Sequence, residues 1–209
     1  MSKLGELKEI LKKLIAIPSV TGNEHDIAIY IADYLRQCGV DSVELQPVEG
    51  KRLNVVAHLK GEKVGPVVLL TGHMDTVAPG EGWRTDPFKA TERDGRIYGR
   101  GAADMKGGIA AILVAIRNAA AQREQMRGEA IIAFVCDEEA YSKGVDALIR
   151  SGIRADYGIA AEPEWDAVIG AVGKMLIKVR VYGIAAHGSQ PEKGINCLLY
   201  TSPSPRDKR

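Results

Sequence analysis

The sequence predicts an α/β fold, and three observations carry that prediction. Apolar, strand-like runs at Val67–Thr71, Ala130–Cys136 and Tyr157–Ala161 are interleaved with stretches of helical character. Each run stops on a polar string: Gly72-His73-Met74-Asp75, Asp137-Glu138-Glu139 and Glu162-Pro163. The order strand, helix, strand, helix, strand favours an α/β arrangement over two packed sheets.

The elements follow in order. Leu4, Leu7, Ile10, Leu11, Leu14 and Ile15 recur at helical spacing among Lys and Glu, so the N-terminus reads as an amphipathic helix and not as a signal-peptide core. Pro18–Glu24 reads as a loop, with Thr21 or Asn23 placed to cap a helix that runs to about Gln37 and closes at Gly39. Leu53–Leu59 and Val67–Thr71 read as strands separated by the turn-rich residues 60–66. Ala78–Gly95 is loop-like, and Ile97-Tyr98-Gly99 leads into the turn Arg100-Gly101. From Met105 to about Ala121 the chain is rich in Ala, Ile, Leu and Val, as suits a helix buried on most of its surface. A further helix is expected from about Gly144 to Ser151. From Met175 a half-exposed strand pattern begins, which reads as the first element of a second domain.

Composition narrows the function classes. A length of 209 residues, 45% hydrophobic and 26% charged, allows one sizeable globular domain or one and a fraction. A net charge of +1 and 5% aromatic residues give no case for a nucleic-acid or membrane partner. No apolar run reaches membrane-spanning length. Cys38, Cys136 and Cys197 show no CxxC spacing, which fits a reducing, cytoplasmic setting better than a disulfide scaffold. The last residues stand apart: Cys197–Asp207 resembles one reading frame of a transposase adapter. By that likeness residues 197–209 are expected to be a non-native tail, with the natural sequence ending near Asn196 and the rest of the gene absent.

The chemistry lies in the polar strings. In an open α/β sheet the carboxyl ends of parallel strands share one edge, so residues distant in sequence can converge there. A His with several carboxylates is a divalent-metal set. His73 and Asp75, two apart on a strand leaving the sheet, face the same side. His73 is read as a ligand and Asp75 as the partner that orients its ring, although a lone His is more often structural. Asp104 sits between a Gly-rich turn and a helix start; it could cap the helix, or bridge two metals where glycines let the backbone approach. Asp137-Glu138-Glu139 is either a solvated turn or a set of carboxylates that need cations or protons to offset their repulsion. Glu162-Pro163 alone carries little weight. Gly99-Arg100-Gly101 lacks the GxxxxGK[ST] phosphate loop, which removes the case for a nucleotide-binding module.

Taken together, the strings resemble the co-catalytic zinc family of aminoacylase, acetylornithine deacetylase, succinyl-diaminopimelate desuccinylase and glutamate carboxypeptidase. The matching residues are 72–77, 98–108, 137–139, 162–163 and Ala186-His187-Gly188-Ser189-Gln190-Pro191, and the likeness covers about residues 7–196. It implies a mixed sheet with helices on both faces over residues 1–174, and the start of an α+β lid or dimerisation domain at 175–196. It implies two Zn2+ ions, with Co2+ or Mn2+ as alternatives: His73 and Glu162 on one, Glu139 on the other, and Asp104 bridging. Glu138 would be the general base that takes a proton from the attacking water and passes it to the leaving amine. His187 would polarise the tetrahedral oxyanion, often across a dimer, and not bind metal. The peptide Asp104-Met105 is expected to be cis.

The implied reaction is hydrolysis of an amide bond in an N-acyl amino acid or small peptide, with deacetylase or desuccinylase relatives first and a dipeptidase or carboxypeptidase second. The implied parent is a homodimer. One departure stands out. The family's last zinc ligand is a His near the end of the full chain, and none of His25, His58, His73 and His187 fits that place. With only Asp104 and Glu139 on the second zinc, the chain by itself is expected to be an inactive fragment.

Overall fold

The computed structural model describes residues 2–163, 182–187 and 189–195. The chain divides into two compact units, residues 1–168 and 169–209. The strand expected from Met175 and the adapter-like tail from Cys197 lie outside the described residues.

In the first unit, helix α1 spans Lys3–Ala16, capped by the Ser2 hydroxyl, which accepts the Gly5 N–H at 3.2 Å. Helix α2 spans His25–Gln37. Its N-cap is Glu24, with no side-chain capping bond, and not Thr21 or Asn23. The Thr21 hydroxyl is engaged elsewhere, donating to Asp75 Oδ2 at 2.9 Å. Strand β1 spans Ser42–Glu49 and β2 Arg52–Lys60. β1 was not among the expected strands; Val43 and Leu45 alternate with polar residues, but Pro47 weakens the signal, as it does in edge strands. Strand β3 spans Lys63–His73.

Residues 78–95 are not all loop. β4 (Thr91–Arg93) and β5 (Arg96–Tyr98) form a hairpin closed by Asp94-Gly95. Both turn residues have positive φ, 52° and 73°, the pattern that Asp-Gly supplies in two-residue hairpins. Helix α3 spans Gly107–Ala120, β6 Arg127–Val135, α4 Lys143–Arg150 and β7 Tyr157–Ala160.

The main sheet has the order β1-β2-β6-β3-β7. β2 is antiparallel to both β1 and β6, while β3 is parallel to β6 and β7. The sheet is therefore mixed, and its three parallel strands end on one edge. Strand alternation splits the core in two. On one face Val55, Ala57 and Leu59 of β2 and Ile132 and Phe134 of β6 pack beneath α1, α2 and α3. On the other, Val56, Ile131, Ala133 and Val135 meet Leu148 of α4. Because both faces are covered, residues 55–57 of β2 and 130–135 of β6 are continuously apolar. No described helix is long and apolar enough to cross a membrane.

In the second unit, Ile184 and Ile195 exchange backbone hydrogen bonds of 3.1 and 2.9 Å across an antiparallel bridge.

Candidate metal centre

The carboxyl ends of β3 and β6 and the turn before α3 carry the site. β3 delivers His73 as its last residue, with the side chain 2% exposed. Its Nδ1 lies 2.9 Å from the backbone carbonyl oxygen of Asp75. A carbonyl can only accept, so Nδ1 carries the proton and Nε2 faces the site. Nε2 is 2.9 Å from Asp104 Oδ1 and 3.7 Å from Glu162 Oε2.

Two acceptors at 2.9 Å need a cation or a proton between them. Burial alone would push the imidazole below its ordinary pKa; the negative charges of Glu162 and Asp75 and the hydrogen bond to Asp104 outweigh it and hold His73 above that value. Glu139 is also raised, first by burial and then by the neighbouring Asp104 charge. Ligand atoms of His73, Asp104 and Glu139 all lie within 4.8 Å of one another. One imidazole and two carboxylates at that spacing fit a divalent cation, which would offset the repulsion that raises Glu139.

Asp75 acts differently from the sequence reading. Its carboxylate oxygen is 3.7 Å from His73 Nδ1, beyond hydrogen-bond range, and it is the backbone carbonyl that meets the ring. The buried carboxylate instead accepts the Glu138 N–H at 3.0 Å, the Glu139 N–H at 3.1 Å and the Thr21 hydroxyl at 2.9 Å. One side chain thus ties the end of β3 to the corner after β6.

Asp104 does not cap α3, whose first turn has no side-chain capping bond. It lies in the irregular turn Ala102–Lys106 after Gly101, which adopts φ 77°, and the Asp104-Met105 peptide is cis. Lys106 turns away from the site. It is fully buried, its ammonium donates to the carbonyls of Leu14 and Ile17 at 2.9 and 2.8 Å, and burial lowers its pKa to about 8. The turn is thereby anchored to the end of α1.

Glu162 follows β7 and is partly exposed. Glu138 is half-buried beside Glu139. His187 belongs to the second unit, where it is exposed, with Nδ1 2.8 Å from Ser189 Oγ. His25 and His58 pair with Asp26 and Glu129, at 3.1 and 2.6 Å, away from the donor set. The sequence reading missed Thr21 as a partner of Asp75. It also missed Arg52 and Asn54, which lie at the start of β2 just before the apolar residues Val55, Val56 and Ala57.

The fold and the donor set define an α/β protein with a carboxylate-rich group that could hold a metal ion at the parallel edge of its sheet. The family model for peptidase family M20/M25/M40 matches residues 69–186, more than half of the chain, and the chain belongs to that family. It is 35% identical over 199 residues to a succinyl-diaminopimelate desuccinylase of Nautilia profundicola, covering 90% of this chain and 52% of that protein. It is equally 35% identical over 205 residues to a succinyl-diaminopimelate desuccinylase of Stenotrophomonas maltophilia, covering 92% and 54%. The chain spans about half the length of the curated relatives it matches. Among solved structures it is similar to an M20 family metallo-carboxypeptidase of Sulfolobus solfataricus, with a TM-score of 0.66 and 25% identity over 75% of this chain and 37% of that one.

Proposed function

We propose that these residues serve metal-dependent hydrolysis of an amide bond, with an N-acyl amino acid of the succinyl-diaminopimelate type as the first substrate class and a small peptide as the second. The convergence of His73, Asp104 and Glu139 within 4.8 Å at the sheet edge carries the reading. The desuccinylase relatives support the first substrate class, and the metallo-carboxypeptidase neighbour supports the second.

In this reading His73 and Glu162 would hold one divalent ion and Glu139 a second, with Asp104 shared between them; zinc is the first choice. Bound there, the ions would supply Lewis acidity toward the scissile carbonyl and acidify the attacking water. Glu138 would accept a proton as the water oxygen bonds to the carbonyl carbon, and would return it to the nitrogen as the C–N bond breaks, leaving a carboxylate and an amine. Asp75 keeps Glu138 and Glu139 in place through their N–H groups, and its carbonyl sets the His73 tautomer. His187 is assigned to the substrate oxyanion, in a homodimeric, cytoplasmic protein.

The test pairs metal content with turnover, using the sequence carried at the length of its relatives. Glu138→Gln should retain its metal and lose turnover by at least 100-fold, the usual scale for a general base. Wild-type turnover in metal-replete Glu138→Gln would sink the assigned role. The coverage of about half of each relative supports a second reading, in which the 209 residues alone hold metal without turning over. Two tightly bound ions per chain together with amidase activity would exclude that second reading.

A further inference from the structure

Beneath the Asp137-Glu138-Glu139 corner lies a buried ionic cluster that none of the site chemistry above uses. Arg52 Nη2 lies 2.8 Å from Asp137 Oδ1 and 2.5 Å from Glu24 Oε1, and its Nε donates to Glu24 Oε2 at 3.0 Å. The Glu24 and Asp137 side chains are 0% and 2% exposed, and that of Arg52 is 12% exposed. Glu49, largely exposed, stands 3.8 Å from Arg52 Nη1. One guanidinium therefore offsets two desolvated carboxylates.

Asp137 is the first residue of the corner, with φ 70°, a left-handed conformation that few non-glycine residues adopt. Its second carboxylate oxygen accepts the Lys143 N–H at 3.1 Å, and its carbonyl accepts the Ser142 N–H at 2.6 Å. The corner is thus folded around Asp137 before it reaches α4. Asn54, two residues along β2 from Arg52 and on the same face, brackets the same segment. Its Oδ1 accepts the Cys136 N–H at 3.1 Å and its Nδ2 donates to the Gly144 carbonyl at 2.8 Å. From the opposite side, Asp75 receives the next two N–H groups, those of Glu138 and Glu139.

We propose that Arg52 is a positioning residue: by tying buried Asp137 to buried Glu24, it sets the backbone that presents Glu138 and Glu139 to the metal centre. Arg52 touches neither the metal donors nor a substrate and acts only through Asp137. Its planar fork suits the task, because it reaches two carboxylates on different elements at once, which a lysine ammonium does with less directional control. The inference rests on the metal reading above.

The test uses the full chain and Co2+ alone, followed by titration and by the visible d–d absorption. The variants are Arg52→Lys, Asp137→Gly and, as a control, Glu139→Gln. Asp137→Gly keeps the left-handed backbone at no steric cost and leaves Arg52 paired one-to-one with Glu24, so it decides the matter if Arg52→Lys does not fold. Both variants should bind Co2+ about tenfold or more weakly, with an altered d–d band, while retaining a cooperative metal-free melt. A merely structural cluster would lower the melting temperature and leave affinity and band unchanged. Parental Co2+ affinity in Arg52→Lys and Asp137→Gly, alongside loss in Glu139→Gln, would overturn the positioning role and leave the metal reading standing. A parent chain that binds no Co2+ would overturn both.

Discussion

At the scale of single residues, the site is decided by which polar atoms are already committed. His73 has one nitrogen taken by a backbone carbonyl and the other left for the donor set, whereas Asp75 spends its carboxylate on backbone N–H groups. Spacing suggests that His73 and Asp75 lie close together; it does not reveal that the carbonyl of Asp75, and not its carboxylate, meets the ring. Cys136 gives a test at this scale. Its side chain is fully buried at the end of β6, and burial pushes its thiol up to about 12. At pH 8 the thiolate fraction is then on the order of 10⁻⁴, and the sulfur is out of reach of reagents. N-ethylmaleimide at pH 8 should leave Cys136 unmodified in the folded chain and label it on unfolding, as read by peptide mass mapping. Rapid labelling of native protein would contradict the packing of β6.

At the scale of elements, three strand ends and one turn had to be brought to the same point. The ends were legible, because each apolar run breaks on a polar string. The small hairpin of β4 and β5 and the edge strand β1 were hidden, since three-residue strands and a strand containing Pro47 carry weak periodicity. The approach of α3 to the segment after β7 depends on Gly108, where an added Cβ would run into the carbonyl oxygen of Ala161. Helix propensity alone favours Gly108→Ala by about 0.5–1 kcal/mol. Crowding against Ala161 should reverse that sign. Gly108→Ala should lower the melting temperature, and it should weaken metal binding by displacing Glu162, the residue after Ala161. A higher melting temperature with unchanged metal affinity would show that α3 is not pressed against this segment.

At the scale of the first unit, the donor set joins segments that are remote in sequence: His73 from β3, Asp104 from the turn before α3 and Glu139 from the corner after β6. An ion held there cross-links the sheet edge and binds only the folded state. At a free metal concentration 100 times its Kd, one such ion adds about 2.7 kcal/mol to stability. For a chain of this size that corresponds to roughly 5–10 °C in melting temperature. Differential scanning fluorimetry should show this rise with Zn2+ or Co2+, its reversal by EDTA, and its loss in Glu139→Gln. An EDTA-insensitive melt in metal-loaded protein would argue against a cation at this set.

The alternation of strands and helices, the places where the apolar runs end, and the residue types found there are all legible along the chain. Those properties are local, since periodicity and the break from apolar to charged residues are written in consecutive positions. Packing settles what local pattern leaves open: that β2 runs antiparallel to β6, that Thr21 serves Asp75 instead of capping α2, and that Arg52 holds Asp137 to Glu24. Each of these is a pairing of buried polar groups tens of residues apart. The cost of leaving such groups unpaired selects their partners only once packing has removed the water around them.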